Sequence, residues 1–527
     1  MSGEYPPLVV RPSRTPWRGE RWLVAFALAL GASTASLTLV HAQPTQAGKA
    51  GYRGAAPRAG YPGVVSKAAG AVPEAAGAAG PETFPRGSFS FGSYGRVVAA
   101  GDLQGSRGRD ADIVAHGSRI DEGTYGELEL VRDDEWEPGL HTRIVSTLAL
   151  AEPIFHSDGQ FDAKIALRNF YVEERGIGDP GLSAWAGSRM YRGDDIYLLD
   201  FWPLDNLNTV GGGLKFRFNA DHTSVAWHIG LNLVSDPFQA QTVQRPAAQN
   251  QPGVTDVALL DRPRSISSLK LTHDLVPVRA SRARRSMGKS WGIKVALYGE
   301  VHRLPSGERE EADGLREQLP GDSGVVGGLQ LGAYDSSSGD FANLFARYST
   351  GLAAYGEFST PRGDSQDADS SGAHEVLIGL SANWEQGVLS VLGGGYFRSF
   401  RGASPEPFRF ENVDEGIFVL RPQVYLGQHA GVAVEGSFQA QQRGVLSTVT
   451  NQPLSAGLWR FGIMPFLTPA GRGSFKRPRL RLIYAVTARD DGARSLYPNT
   501  DPFARRTTEQ FLGVGAEWWF NSSSYGQ

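Results

Sequence analysis

From Phe89 to the C-terminus, apolar and polar residues alternate with a period of two, and no stretch carries three turns of helical periodicity. Turn residues divide this pattern into eighteen expected strands. They centre on 92–98, 125–131, 142–150, 165–173, 183–190, 214–219, 224–233, 266–273 and 293–302, then on 324–333, 342–350, 375–384, 389–398, 417–426, 432–440, 459–467, 480–487 and 509–520. The last is the clearest: Leu512, Val514, Ala516, Trp518 and Phe520 share a face suited to lipid, and Phe511, Gly513, Gly515, Glu517 and Trp519 share one suited to a lumen. Spread over residues 87–520, eighteen strands leave about 24 residues for each with its connection, which suits membrane strands of roughly 10 residues joined by alternating short turns and long loops. The acidic stretches 304–322 and 361–374 read as such loops. The fold expected is all-β: a transmembrane antiparallel β-barrel of 18 strands.

One stretch interrupts the alternation. Residues 182–205, LSAWAGSRMYRGDDIYLLDFWPLD, begin as a strand with Ala184, Ala186 and Ser188 opposite Trp185, Gly187 and Arg189. Arg192, Asp194, Asp195 and Asp200 then crowd around the apolar residues 196–199, and Pro203, after Phe201 and Trp202, forbids a central strand. A charged, aromatic loop stands where a hairpin turn belongs. We expect it to fold back into the barrel and set the width of the hole.

The N-terminal part has a different character. The apolar run 22–39 follows Arg11, Arg14, Arg18 and Arg21 and ends in Val40-His41-Ala42, so residues 1–42 read as a cleaved signal peptide. Residues 43–86, rich in Ala, Gly and Pro, cannot bury enough surface to offset the entropy of ordering them and read as a disordered spacer. The barrel is expected over 87–520, with a C-terminal extension at 521–527. Composition narrows the function further. The 527 residues contain no cysteine, which removes disulfides and thiolate metal sites, and no cofactor or metal is expected. A formal net charge of -3 argues against nucleic acid as a partner. Mean hydropathy of -0.27 excludes a helical membrane bundle, whose every span needs about 20 apolar residues.

The motif S-x-W-A-G-S-R-x-Y followed by D-D-I-x-L-L-D-F-W, together with Gly92-Ser93-Tyr94-Gly95-Arg96, Thr124-Tyr125-Gly126-Glu127-Leu128 and Glu517-Trp518-Trp519-Phe520, resembles the maltoporin (LamB-type) family of sugar-specific porins. The likeness is strong to about residue 220 and at the C-terminus, and thin between about 235 and 410. It implies a homotrimeric barrel in the Gram-negative outer membrane, with lipid around it, an infolded third loop and maltodextrin-like oligosaccharides as substrate. Carried over by position, the aromatic slide comprises Tyr94, Tyr125, Phe475 and Trp519, with Trp291 as a weaker candidate. The polar track comprises Arg96, Arg119, Glu127 and Arg168, and the constriction loop Arg192, Asp195, Asp200 and Trp202. A sugar ring offers a C–H face for stacking and a rim of hydroxyls for charged hydrogen-bond partners, so the two sets belong together.

The chain also departs from the family pattern. Trp202 stands where the family has tyrosine, Gly193 where an arginine is expected, and Arg192 lies one place earlier. No residue matches the aromatic that a neighbouring subunit contributes; Phe155 and Phe161 are the nearest. Two rival readings follow: a general or ion-conducting porin, and a secreted β-fold carbohydrate-active enzyme using Asp195 and Asp200, or Glu173 and Glu174, as paired carboxylates.

Overall fold

The computed structural model describes residues 86–151, 155, 159, 164–218, 222–233, 238–246, 253–276, 291–311, 314–335, 338–357, 359, 369–403, 411–447 and 451–523. The expected signal peptide and spacer, Phe161, and most of 361–374 lie outside them.

The strands in chain order are β1 (Arg86–Gly101), β2 (Tyr125–Glu137), β3 (Leu140–Ala151), β4 (Lys164–Arg175), β5 (Leu182–Arg192), β6 (Asn206–Phe218), β7 (Thr223–Asn232), β8 (Ala240–Pro246), β9 (Val254–Asp261), β10 (Arg264–Val276) and β11 (Gly292–Leu304). They continue with β12 (Gly307–Glu310), β13 (Arg316–Leu319), β14 (Asp322–Asp335), β15 (Asp340–Gly351), β16 (His374–Gln386), β17 (Leu389–Arg401), β18 (Val413–Tyr425), β19 (Ala430–Leu446), β20 (Pro453–Leu467), β21 (Arg479–Arg489) and β22 (Thr508–Phe520). Eighteen of these form one antiparallel sheet, closed because β1 pairs with both β2 and β22. β8 pairs with β9, and β12 with β13, as separate hairpins within long loops.

Each expected strand coincides with one strand of the barrel. The largest difference is at β6, which begins at Asn206 rather than 214. Its Gly211-Gly212-Gly213 run hides the alternation from the sequence, yet all three pair with both β5 and β7. The loop expected over 304–322 is itself folded, containing β12 and β13.

Period-two alternation divides the wall as lipid and water require. On β21, Leu480 and Leu482 are exposed outside while Arg479 and Arg481 are buried on the lumen side. On β22, Leu512, Val514 and Phe520 face out, and Phe511 and Glu517 face in. Across the closing seam, the Trp518 indole lies where a Cβ on Gly95 would stand, and it donates to the Ser93 hydroxyl at 3.1 Å. The absence of a side chain at Gly95 lets the tryptophan cover β1.

The lumen is not an open tube. Residues 193–205, between β5 and β6, turn inward and carry a short 3-10 turn at Tyr197–Leu199. Ile196, Leu198 and Leu199 pack with Tyr298, Phe345, Leu392, Tyr396 and Ile417 of the opposite wall. Residues 102–124, between β1 and β2, enter as well, and Ile113 and Val114 join the same cluster. A third inserted piece, 468–478 between β20 and β21, comes from the short-turn end.

Candidate functional site: a constricted lumen

The inserted segments are fixed by charge on the lumen wall. Arg460 of β20 binds Asp112 at 3.0 Å and Asp121 at 2.8 Å, both on 102–124. The Ile113 amide donates to Gln439 at 3.1 Å, and the His116 amide to the Tyr396 hydroxyl at 3.1 Å. The two long loops also hold each other: His116 stacks on Phe201 at 3.9 Å between centroids, and the Arg119 amide donates to the Leu198 carbonyl at 3.0 Å. Buried polar groups of this kind are tolerated only when paired, and here the pairing locks the loops in place.

Against the remaining wall lies a line of rings. Tyr125 and Tyr94 have centroids 5.9 Å apart, and Tyr94 stacks on Trp519 at 6.5 Å with 28° between planes. Register explains the contact, since Tyr94 is the cross-strand partner of Trp519 on the closing seam. Phe475 does not touch Trp519 through a strand. It sits on the inserted turn 468–478, so strand parity does not govern its direction; Arg477 and Ser474 anchor that turn instead, to Glu517 at 2.8 Å and Glu385 at 2.8 Å. Phe475 and Trp519 both line a cavity of about 700 Å³ that also receives Tyr171, Trp185, Arg189, Tyr191, Arg192, Asp195, Trp202 and Lys270. Tyr94 is covered, at 1% exposure.

The charged candidates flank the same rings. Arg168 binds Glu127 at 2.8 Å and contacts the Tyr125 hydroxyl, which donates to Glu127 at 2.5 Å. Arg96 reaches Glu122 at 2.5 Å and Asp200 at 3.7 Å, and it donates to the Tyr94 hydroxyl at 3.1 Å. Arg119 donates to the same hydroxyl at 2.5 Å and binds Glu122 at 2.7 Å. Trp291 stands apart. It is 43% exposed and shares the parity of Ile293 and Leu297, which stand on the outer surface, and no contact brings it to the other four rings.

At the constriction, Arg192 does reach the lumen: its guanidinium lies 3.9 Å over the Trp202 ring. Asp200 adopts the left-handed conformation, φ 49°, closing the 3-10 turn. A Cβ at Gly193 would meet the Asp205 carboxylate and the Lys270 ammonium, so a side chain there would have to displace that ion pair. Lys270 of β10 binds Asp205 at 2.7 Å and supplies a cation at that place. Lys294 of β11 does the same for Asp194 at 2.8 Å. Phe155 is exposed.

Several lumen contacts escaped the sequence reading. Glu517 receives Arg477 and Arg119 and the hydroxyl of Tyr197, joining β22 to all three inserted segments. The parity of β22 marked Glu517 as lumenal, but only tertiary folding brings its partners together. Tyr171, Trp185, Tyr191 and His228 form a second aromatic group on β4, β5 and β7, with Trp185 and His228 5.5 Å apart and 9° from parallel. The acidic pair Glu173 and Glu174 is split by the strand: Glu173 meets Arg175 at 2.7 Å and is buried, while Glu174 accepts from Thr142 on the other face. These two carboxylates do not face each other.

Among solved structures, the chain is similar to OmpT, an outer membrane protein of Vibrio cholerae in trimer form, at 9% identity and TM-score 0.38, covering 82% of this chain and 99% of that one. It is similar to Acinetobacter baumannii OccAB1 at 11% identity and TM-score 0.40, covering 82% and 96%, and to Pseudomonas aeruginosa OccK10 (OpdN) at 12% and 0.38, covering 82% and 99%. The family described as LamB porin matches residues 89–520, which is the whole barrel. With its closed 18-stranded sheet and lumen narrowed by an infolded loop, this chain belongs to the LamB porin family: it is an outer-membrane porin.

Proposed function

We propose that the channel is sugar-selective and passes maltodextrins or related oligosaccharides by facilitated diffusion, as a homotrimer exported by cleavage of residues 1–42, with 43–86 as a spacer and 521–527 as a C-terminal extension. One observation carries the reading: Tyr125, Tyr94 and Trp519 form a continuous line of rings, with charged groups at the hydroxyls of the two tyrosines and a guanidinium over Trp519. Arg477 lies 4.2 Å over Trp519. Stacking on each ring contributes about 0.5–1.5 kcal/mol. Weak repeated sites let a ligand leave as readily as it enters.

Substitution on the track tests this. Trp519→Ala should weaken block of the ion current by maltohexaose about fivefold while the open conductance stays near wild type. Unchanged block would remove Trp519 from the track. The general-porin reading draws on the near-complete burial of Tyr94, and it predicts no saturable block by any glucose oligomer.

A further inference from the structure

Tyr197 heads the 3-10 turn of the constriction loop and is 5% exposed. Its ring meets Phe475 edge-on at 5.2 Å and Trp519 at 6.1 Å. Both separations fall in the contact range of paired rings, roughly 4.5–7 Å. Tyr197 on the loop, set at 76° to the Trp519 ring, and Arg477, 4.2 Å over that ring, together close in the space around Trp519 that a sugar would need. The Tyr197 hydroxyl donates to the two oxygens of Glu517 at 3.0 and 3.2 Å and contacts Arg477, and the Arg119 guanidinium lies 4.8 Å over the ring. Arg119 also donates to the hydroxyl of Tyr94 at 2.5 Å.

We infer that Tyr197 is a self-supplied occupant of a sugar position: it covers the lower part of the track in the empty channel and is displaced when an oligosaccharide reaches Trp519. The inference rests on the sugar-selective reading. Tyrosine presents what a glucose unit also presents, apolar C–H surface against Trp519 and Phe475 and a hydroxyl for Glu517 and Arg477. Each contact it gives up can be remade by the ligand, so the exchange leaves no charged group unpaired. Tyr197 is thus a specificity-determining residue. Short sugars that reach only Tyr125 do not compete with it, and longer ones bind at the expense of displacing it.

The test uses the purified full-length protein in a planar bilayer, with maltose and maltohexaose as probes. Tyr197→Ala should raise the sugar-free conductance and tighten maltohexaose block about fivefold, leaving maltose block unchanged. Tyr197→Phe keeps the ring but drops the hydroxyl ties, and should tighten maltohexaose block by a smaller factor at near wild-type conductance. A heat-modifiable gel shift checks that each variant is folded. Maltohexaose block equal in wild type and both variants overturns this inference alone. Absence of block by either sugar in all three proteins overturns the sugar reading, and this inference with it.

Discussion

At Asp195 the lumen acts on a single carboxyl group. Enclosure in the channel pushes its pKa up to about 7, with Asp200 and Asp194 adding to the effect and the nearby Arg119 opposing it. A raised carboxyl is neutral below that value and charged above it, so the constriction gains a negative charge as pH rises from 6 to 8. Preference for cations over anions should increase over that interval, read as a shift in reversal potential under a KCl gradient, and Asp195→Asn should flatten the dependence. A wild-type reversal potential independent of pH would count against this. Trp202 makes a simpler case. Its ring is buried under the Arg192 guanidinium at the constriction, so Trp202→Ala should raise single-channel conductance; an unchanged value would place the narrowest point elsewhere. Individual residues were legible where strand parity governs them, as with Trp519 and Glu517. They were not legible where a group from a distant strand intervenes. Gly193 read as a lost cation because the sequence does not show Lys270 of β10 arriving in its place.

The eighteen barrel strands could be read because each separates lipid from water, which imposes alternation on every one of them; only the glycine run of β6 erased it. Residues 193–205 could also be read as an inserted loop, since apolar residues flanked by acids and a proline do not fit a solvent-facing turn. The equally inserted 102–124 could not. Its large apolar residues Leu103, Ile113, Val114 and Ile120 are few and without period, and its acids resemble those of any solvated loop. What holds it is Arg460, buried between Asp112 and Asp121. Removing one partner from a buried charge cluster costs about 3–5 kcal/mol. Arg460→Leu should therefore release the loop, raising conductance and lowering the temperature at which the heat-modifiable gel band shifts. A variant with wild-type conductance and transition would show that the remaining contacts at Gln439 and Tyr396 suffice.

The barrel wall turns a soluble protein inside out, with leucine, valine and phenylalanine facing outward and arginine and glutamate lining much of the lumen, and an apolar cluster forms where the long loops enter it. That arrangement follows from alternation and length, whereas membership of the LamB porin family rests on the motifs and the family match over residues 89–520. Selectivity does not, because it depends on which rings line up across strands far apart in sequence and on what covers them when the channel is empty. Tyr125, Tyr94 and Trp519 line up, and Tyr197 lies over the lower end. The most direct measurement is single-channel current of the purified protein in a planar bilayer, titrated with linear glucose oligomers from maltose to maltohexaose. A sugar-selective track predicts saturable block that strengthens with chain length. Steady open conductance, unaffected by any oligomer, would contradict it and leave a porin without sugar preference.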